Sequence, residues 1–158
     1  MRYYQLSSEE NSLALVVDDG DELYDLTSAH TDLTSFTELA RTASISEEPI
    51  DAIARRHIDD AETISEQELD QHLCRPIRAA EVWAAGVTYG ISEKAREAES
   101  SMSEIYLKVY DAERPEIFFK ATPSRTVGPN DDVGIRGDSS WDVPEPEVGI
   151  VMFRGEII

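Results

Sequence analysis

Pro144-Glu145-Pro146-Glu147 runs straight into the apolar stretch Val148-Gly149-Ile150-Val151-Met152-Phe153. In an extended chain, residues two apart point to the same face. Glu145 and Glu147 then project side by side, about 7 Å apart along the chain by strand rise. Two carboxylates held that close in a partly buried place repel each other, and one stays protonated unless a cation intervenes. A hard divalent ion with oxygen ligands removes the conflict. Mg²⁺ fits this role, with Mn²⁺ or Ca²⁺ as alternatives. The prolines stiffen the pair before any ion arrives. The competing reading is two solvated glutamates at a strand start in a very acidic chain.

Other chemically capable residues read as structural. Cys74 is the only cysteine, so no internal disulfide forms, and a small buried apolar residue is its ordinary reading. His30, His57 and His72 are scattered without common periodicity, which gives no reason to read any of them as a metal ligand. Asp18, Asp19 and Asp21 flank Gly20 but lack the later glutamate of a calcium loop, so they read as a solvated turn.

The elements that must position the glutamates fall in two parts. Leu13 to Val17 and Leu23 to Leu26 suggest a hairpin around the Asp18–Asp21 turn. Helices are predicted over 34–44, capped by Thr34 or Ser35, and over 47–58, with Ile50, Ile53, Ala54 and Ile58 in one stripe. Asp59 to Asp70 reads as a polar linker or surface segment. A domain boundary is expected at 73/74, with a small α+β domain over 1–73 and a second domain over 74–158. In the second, strands are predicted over 82–89, 117–120 and 148–153, with a helix over 92–110 and a loop over 111–116. The fold class expected is α+β, mainly β.

Composition narrows the function. The chain carries 33 acidic residues against 14 basic ones, a net charge of −19. Such a balance repels nucleic acid and anionic membranes. It is spread among apolar residues instead of standing in blocks, which suits a surface adapted to a salty cytoplasm. No apolar run approaches the roughly 20 residues of a membrane span, and Met1-Arg2-Tyr3-Tyr4-Gln5-Leu6 lacks the apolar stretch expected of a secretory signal peptide. A cytoplasmic protein is expected.

Four motifs then occur in order: Gly86-Val87-Thr88-Tyr89, Phe118-Phe119-Lys120-Ala121-Thr122-Pro123-Ser124, Val127-Gly128-Pro129-Asn130-Asp131, and Val143-Pro144-Glu145-Pro146-Glu147-Val148. Together they resemble the fumarylacetoacetate hydrolase family over about residues 74–158. The resemblance implies a β-rich catalytic domain of that family's own fold, in which Glu145 and Glu147 bind Mg²⁺. It departs from the family's C–C bond hydrolases. Where those carry a histidine three residues after the tyrosine, this chain has Ser92, and no histidine follows His72. A water-activating His–Glu dyad is therefore missing from this stretch.

The segment from Lys108 through Arg114-Pro115 to Lys120 instead resembles the branch of 2-keto-3-deoxypentonate dehydratases, whose product is 2,5-dioxopentanoate. That likeness implies a proton-transfer role for Glu113, in a loop placed over the metal. Lys120 would neutralise the substrate carboxylate or the developing enolate, and Arg114 is a weaker carboxylate partner. Thr88, Ser92 and Ser139 are candidates to reach substrate hydroxyls. Surface positions or local structural work are the alternatives for each of these. The family's third metal carboxylate would lie beyond Ile158, so the resemblance implies an N-terminal fragment of a homo-oligomer, inactive by itself. Two other functions stay open: a C–C hydrolase of acylpyruvates, and a non-catalytic acidic binding module.

Overall fold

The computed structural model describes residues 1–7, 12–86, 108–109, 111–140, 142, 144 and 146–158. They form two compact units, one of Met1–Ile77 with Val127–Ile158 and one of Arg78–Thr126. Both strands and helices are present, in a mixed α/β chain.

The first unit is built on an antiparallel sheet in the order β1-β2-β3-β4, with β1 Arg2–Ser7, β2 Leu13–Asp18, β3 Leu23–Asp25 and β4 Glu62–Ile64. The continuous apolar run Leu15-Val16-Val17 has a direct cause. Successive side chains point to opposite faces of a strand, and here both faces are covered. Leu15 and Val17 join a core with Leu26, Leu33, Leu39, Ala43, Ile53 and Ala54, while Val16 joins Leu6 and Leu69 in a second. All three residues of the run are fully buried. Helices α1 Leu26–Ala29, α2 Phe36–Ser46 and α3 Ile50–Ile58 supply the first core. Helix α4, Glu66–His72, supplies Leu69 to the second.

Local chemistry fixes the ends of these elements. Ser35 caps α2 by accepting from the Glu38 amide, and Asp25 caps α1 by accepting from Thr27 and Ser28. Gly20 closes the β2–β3 turn with φ +108°, where a side chain would be strained. The amides of Asp21 and Glu22 hold the exposed Asp19 carboxyl below its ordinary pKa. Buried Gln5 donates to the carbonyls of Ala14 and Thr34 at 2.8 and 2.7 Å, which ties β1 to the loop before α2. The Tyr3 hydroxyl donates to Asp51 at 2.7 Å. Burial and this bond push the phenol far up, and the same bond holds Asp51 down.

The predicted hairpin is β2–β3, although Leu26 opens α1 instead of closing the strand. Both predicted helices are present: α2 is shifted two residues toward the C-terminus at each end, and α3 begins three residues later than predicted and ends as predicted. The linker or surface segment expected over 59–70 does lie largely at the surface, but it is ordered as β4 and α4 and is not a linker. Ser65 accepts from the Glu68 amide, and Ser65-Glu66-Gln67-Glu68 matches a capping box in sequence. Leu69 alone anchors this polar helix to the sheet. After it, Leu73 bridges to Leu6 and the Cys74 amide donates to the Gln5 carbonyl, so the chain covers the outer edge of β1.

In the second unit, β5 Val82–Ala85 pairs antiparallel with β6 Ile117–Ala121. Trp83 and Phe119 stand opposite each other in an edge-to-face contact at 5.8 Å. β6 is largely exposed, and β5 is half-buried except for the exposed Trp83; residues 87–89 of the strand expected over 82–89 and, apart from 108–109, the helix predicted over 92–110 lie outside the described residues. The strand expected over 148–153 is reduced to β7 Met152–Phe153, paired with β8 Glu156–Ile157 in the first unit. Val148 and Ile150 are exposed and join no strand.

Candidate active-site elements

The Gly-Pro turn, the lysine strand and the second glutamate of the predicted site are described in the structure. In the first unit, the Gly128 amide donates to the Asp131 carboxylate at 2.8 Å, closing the turn Gly128-Pro129-Asn130-Asp131 on itself. Asn130 takes the left-handed conformation, φ +64°. A Cβ on Gly128 would sit 3.1 Å from the Arg75 backbone nitrogen, so glycine permits this close approach. Cys74 lies just before that contact. Burial pushes its thiol above the ordinary value, which favours the protonated form.

Glu147 belongs to the same unit and has an exposed side chain on a segment without strand pairing. Its partner in the predicted metal pair, Glu145, lies outside the described residues, as do Thr88 and Ser92. Among the described residues, no group of three or more His, Cys, Asp or Glu side chains stands close enough to hold a metal ion.

Lys120 lies on β6 in the second unit. Trp83 pairs with Phe119, while the next residue back, Val82, pairs with Ala121. Lys120 is therefore the extra residue of a β-bulge. A bulge bends the strand and re-aims the side chain it carries, a device common beside active sites. The sequence singled out Lys120 by residue type and resemblance and carried no sign of the bulge. Glu113 and Arg114 are exposed in the turn of residues 111–114, just before β6. The Ala112 amide donates to the Val109 carbonyl at 3.3 Å and closes that turn. Ser139 lies in the first unit, its amide bonded to the Arg136 carbonyl at 3.0 Å.

The first unit also brings together two residues that the sequence reading set aside. His30 and His57 have ring centroids 5.3 Å apart, nearly perpendicular. Burial, then the neighbouring His30, push His57 below its ordinary value.

No family model matches the chain. It is 55% identical over 159 residues, spanning all of this chain, to a probable 2-keto-3-deoxyxylonate dehydratase of Haloferax volcanii. It is 43% identical over 95 residues to a 2-dehydro-3-deoxy-D-arabinonate dehydratase of Saccharolobus solfataricus. The chain is similar to both of these dehydratases. It spans 54% of the Haloferax relative, about half its length, and the second match covers 56% of this chain and 32% of that protein.

Solved structures agree with this relationship. A hexagonal crystal form of 2-keto-3-deoxyarabinonate dehydratase superposes with a TM-score of 0.68 at 28% identity, covering 99% of this chain and 54% of that one. The same TM-score and identity hold for 2-keto-3-deoxy-D-arabinonate dehydratase complexed with magnesium and 2,5-dioxopentanoate, over 99% of this chain and 52% of that one. Among the described residues, no helix is long and apolar enough to cross a membrane.

Proposed function

We propose that the protein is a Mg²⁺-dependent dehydratase that converts a 2-keto-3-deoxypentonate to 2,5-dioxopentanoate. The observation that carries this reading is the 55% identity to the Haloferax dehydratase across the whole of this chain. The likeness to a dehydratase structure holding magnesium and 2,5-dioxopentanoate supports the same metal and product class. We assign residues 1–73 to a small N-terminal domain and 74–158 to a β-rich catalytic domain of the fumarylacetoacetate hydrolase type. A homo-oligomer working in a salty cytoplasm completes the reading.

The donor set suits the ion. Glu145 and Glu147 offer hard carboxylate oxygens, which Mg²⁺ takes in preference to softer ligands, and the Glu147 side chain is open to solvent. When bound, Mg²⁺ supplies a Lewis acid for the keto group of the substrate, which makes the C3 protons more acidic. Glu113 takes one C3 proton and returns it to the departing C4 hydroxyl, which leaves as water. A second transfer moves a C5 proton to C3, and the resulting enol tautomerises at C4 to the aldehyde, so that only water is lost overall. Lys120, re-aimed by its bulge, offsets the negative charge that builds on the substrate oxygens. Arg114 binds the substrate carboxylate, and Thr88 and Ser92 hold its hydroxyls.

The test uses the full-length protein in high salt with 2-keto-3-deoxypentonate. Aldehyde formation is expected with Mg²⁺, to vanish on EDTA treatment, and to return when Mg²⁺ is restored. An EDTA-insensitive rate would remove the metal role. Cleavage of an acylpyruvate in place of sugar-acid dehydration would overturn the reaction.

A further inference from the structure

The pairing of His30 with His57 has no part in the reading above, and it is independent of that reading. Three histidines occur in the whole chain, and two of them meet. His30 follows α1, with its amide bonded to the Leu26 carbonyl at 3.0 Å and its carbonyl accepting from Leu33 at 2.9 Å. His57 stands in the last turn of α3, where its carbonyl accepts from the Asp60 amide at 3.3 Å. Both backbones are thus fixed by hydrogen bonds before any ligand arrives, and each ring comes from a different helix end.

We propose that His30 and His57 form a two-imidazole site for a borderline divalent transition ion of the Zn²⁺, Ni²⁺ or Cu²⁺ class, distinct from the carboxylate pair. The geometry points to this class. Two imidazoles bound to one tetrahedral ion, with metal–nitrogen bonds of about 2 Å, place their ring centroids about 5 Å apart. The observed separation is 5.3 Å, with an interplanar angle of 75°. Imidazole nitrogen selects these ions over Mg²⁺, which prefers carboxylate and water oxygen. His30 is exposed and His57 half-buried, so waters can complete the coordination.

The local charges act in both directions, with Arg56 outweighing Asp60. His57 lies at the C-terminal end of a nine-residue helix, where the unpaired carbonyls attract positive charge. Asp60 adds to that attraction, and Arg56 opposes it. On the His30 side, Nδ1 accepts only a long bond from the Asp32 amide, at 3.4 Å, so occupying either ring nitrogen gives up little. The alternative is an edge-to-face contact of two rings with no ion.

The full chain is titrated with Ni²⁺ in high salt and excess Mg²⁺, which saturates carboxylate sites, and binding is followed by calorimetry and by the histidine ring-proton signals. One equivalent is expected to bind and to broaden the His30 and His57 signals while sparing His72. His30→Gln and His57→Gln are each expected to weaken binding by about tenfold or more, because the second imidazole binds at high effective concentration. His72→Gln and Cys74→Ser are expected to leave it unchanged. The far-UV spectrum without metal establishes that each variant is folded, and two independent positions keep the test decisive if one is not. Absence of Ni²⁺ binding, affinity unaltered in both pair variants, or broadening centred on His72 overturns the site.

Discussion

Leu15→Ala is expected to destabilise the first unit by about 3–5 kcal/mol, the range for emptying a large buried site that cannot collapse. Leu15 is fully buried in the middle of β2 and belongs to the core cluster to which α1, α2 and α3 all contribute. No single helix can move in to fill the space without leaving the others. For a domain of ordinary stability, this loss is a large share of the total. Urea unfolding in high salt, read by far-UV circular dichroism, should show a much lower midpoint at an unchanged slope. Ile45→Ala is the control: Ile45 is 73% exposed on α2, and its loss should shift stability by less than about 0.5 kcal/mol. Equal effects at the two positions would mean that the β2 face is not the principal core.

Glu147→Gln and Glu145→Gln in the full-length protein are expected to lower Mg²⁺-dependent dehydration by about 10²-fold or more, since losing a ligand exceeds the loss of an outer-shell partner. The amide keeps one oxygen and the size of the side chain but removes the charge that the ion needs. The Mg²⁺ concentration for half-maximal rate should rise in each variant, while the unfolding midpoint without metal stays near that of the parent because Glu147 is exposed. Mn²⁺ binding, measured by electron paramagnetic resonance without substrate, separates the two ideas within this prediction. Weakened Mn²⁺ binding with a lost reaction supports the metal pair. Parental Mn²⁺ binding and parental turnover in both variants would remove the two glutamates from the site, whatever the reaction.

Much of the first unit is legible because its signals are local. Asp18 to Asp21 announces the turn, Ser35 announces the start of α2, and Ile53 with Ala54 marks the buried stripe of α3. The segment 59–70 hides its strand and helix because α4 buries a single leucine, and its acidic face outweighs that one anchor. The capping box at Ser65 was the signal available. The opposite error occurred at Val148–Val151, where apolar residues promised a strand. Apolar composition raises the tendency to pair, but a strand exists only where another strand accepts its hydrogen bonds. Val151 has its carbonyl bonded to the Ile158 amide, and regular pairing begins only at Met152.

The candidate site divides along the same line. Glu147 and Lys120 were singled out by residue type and motif order. The bulge at Lys120 was not, because a skipped register belongs to two strands and neither sequence records it alone. His30 and His57 were set aside because their distance along the chain hides a meeting that only the packing of α1 on α3 produces.

The position of β2, with neighbours on both edges and a core on each face, has a consequence for how the molecule opens. An amide in this strand reaches solvent only when both layers and both flanking strands separate, which amounts to unfolding the unit as a whole. The amides of Val16 and Val17 therefore report the global free energy of this body in hydrogen exchange.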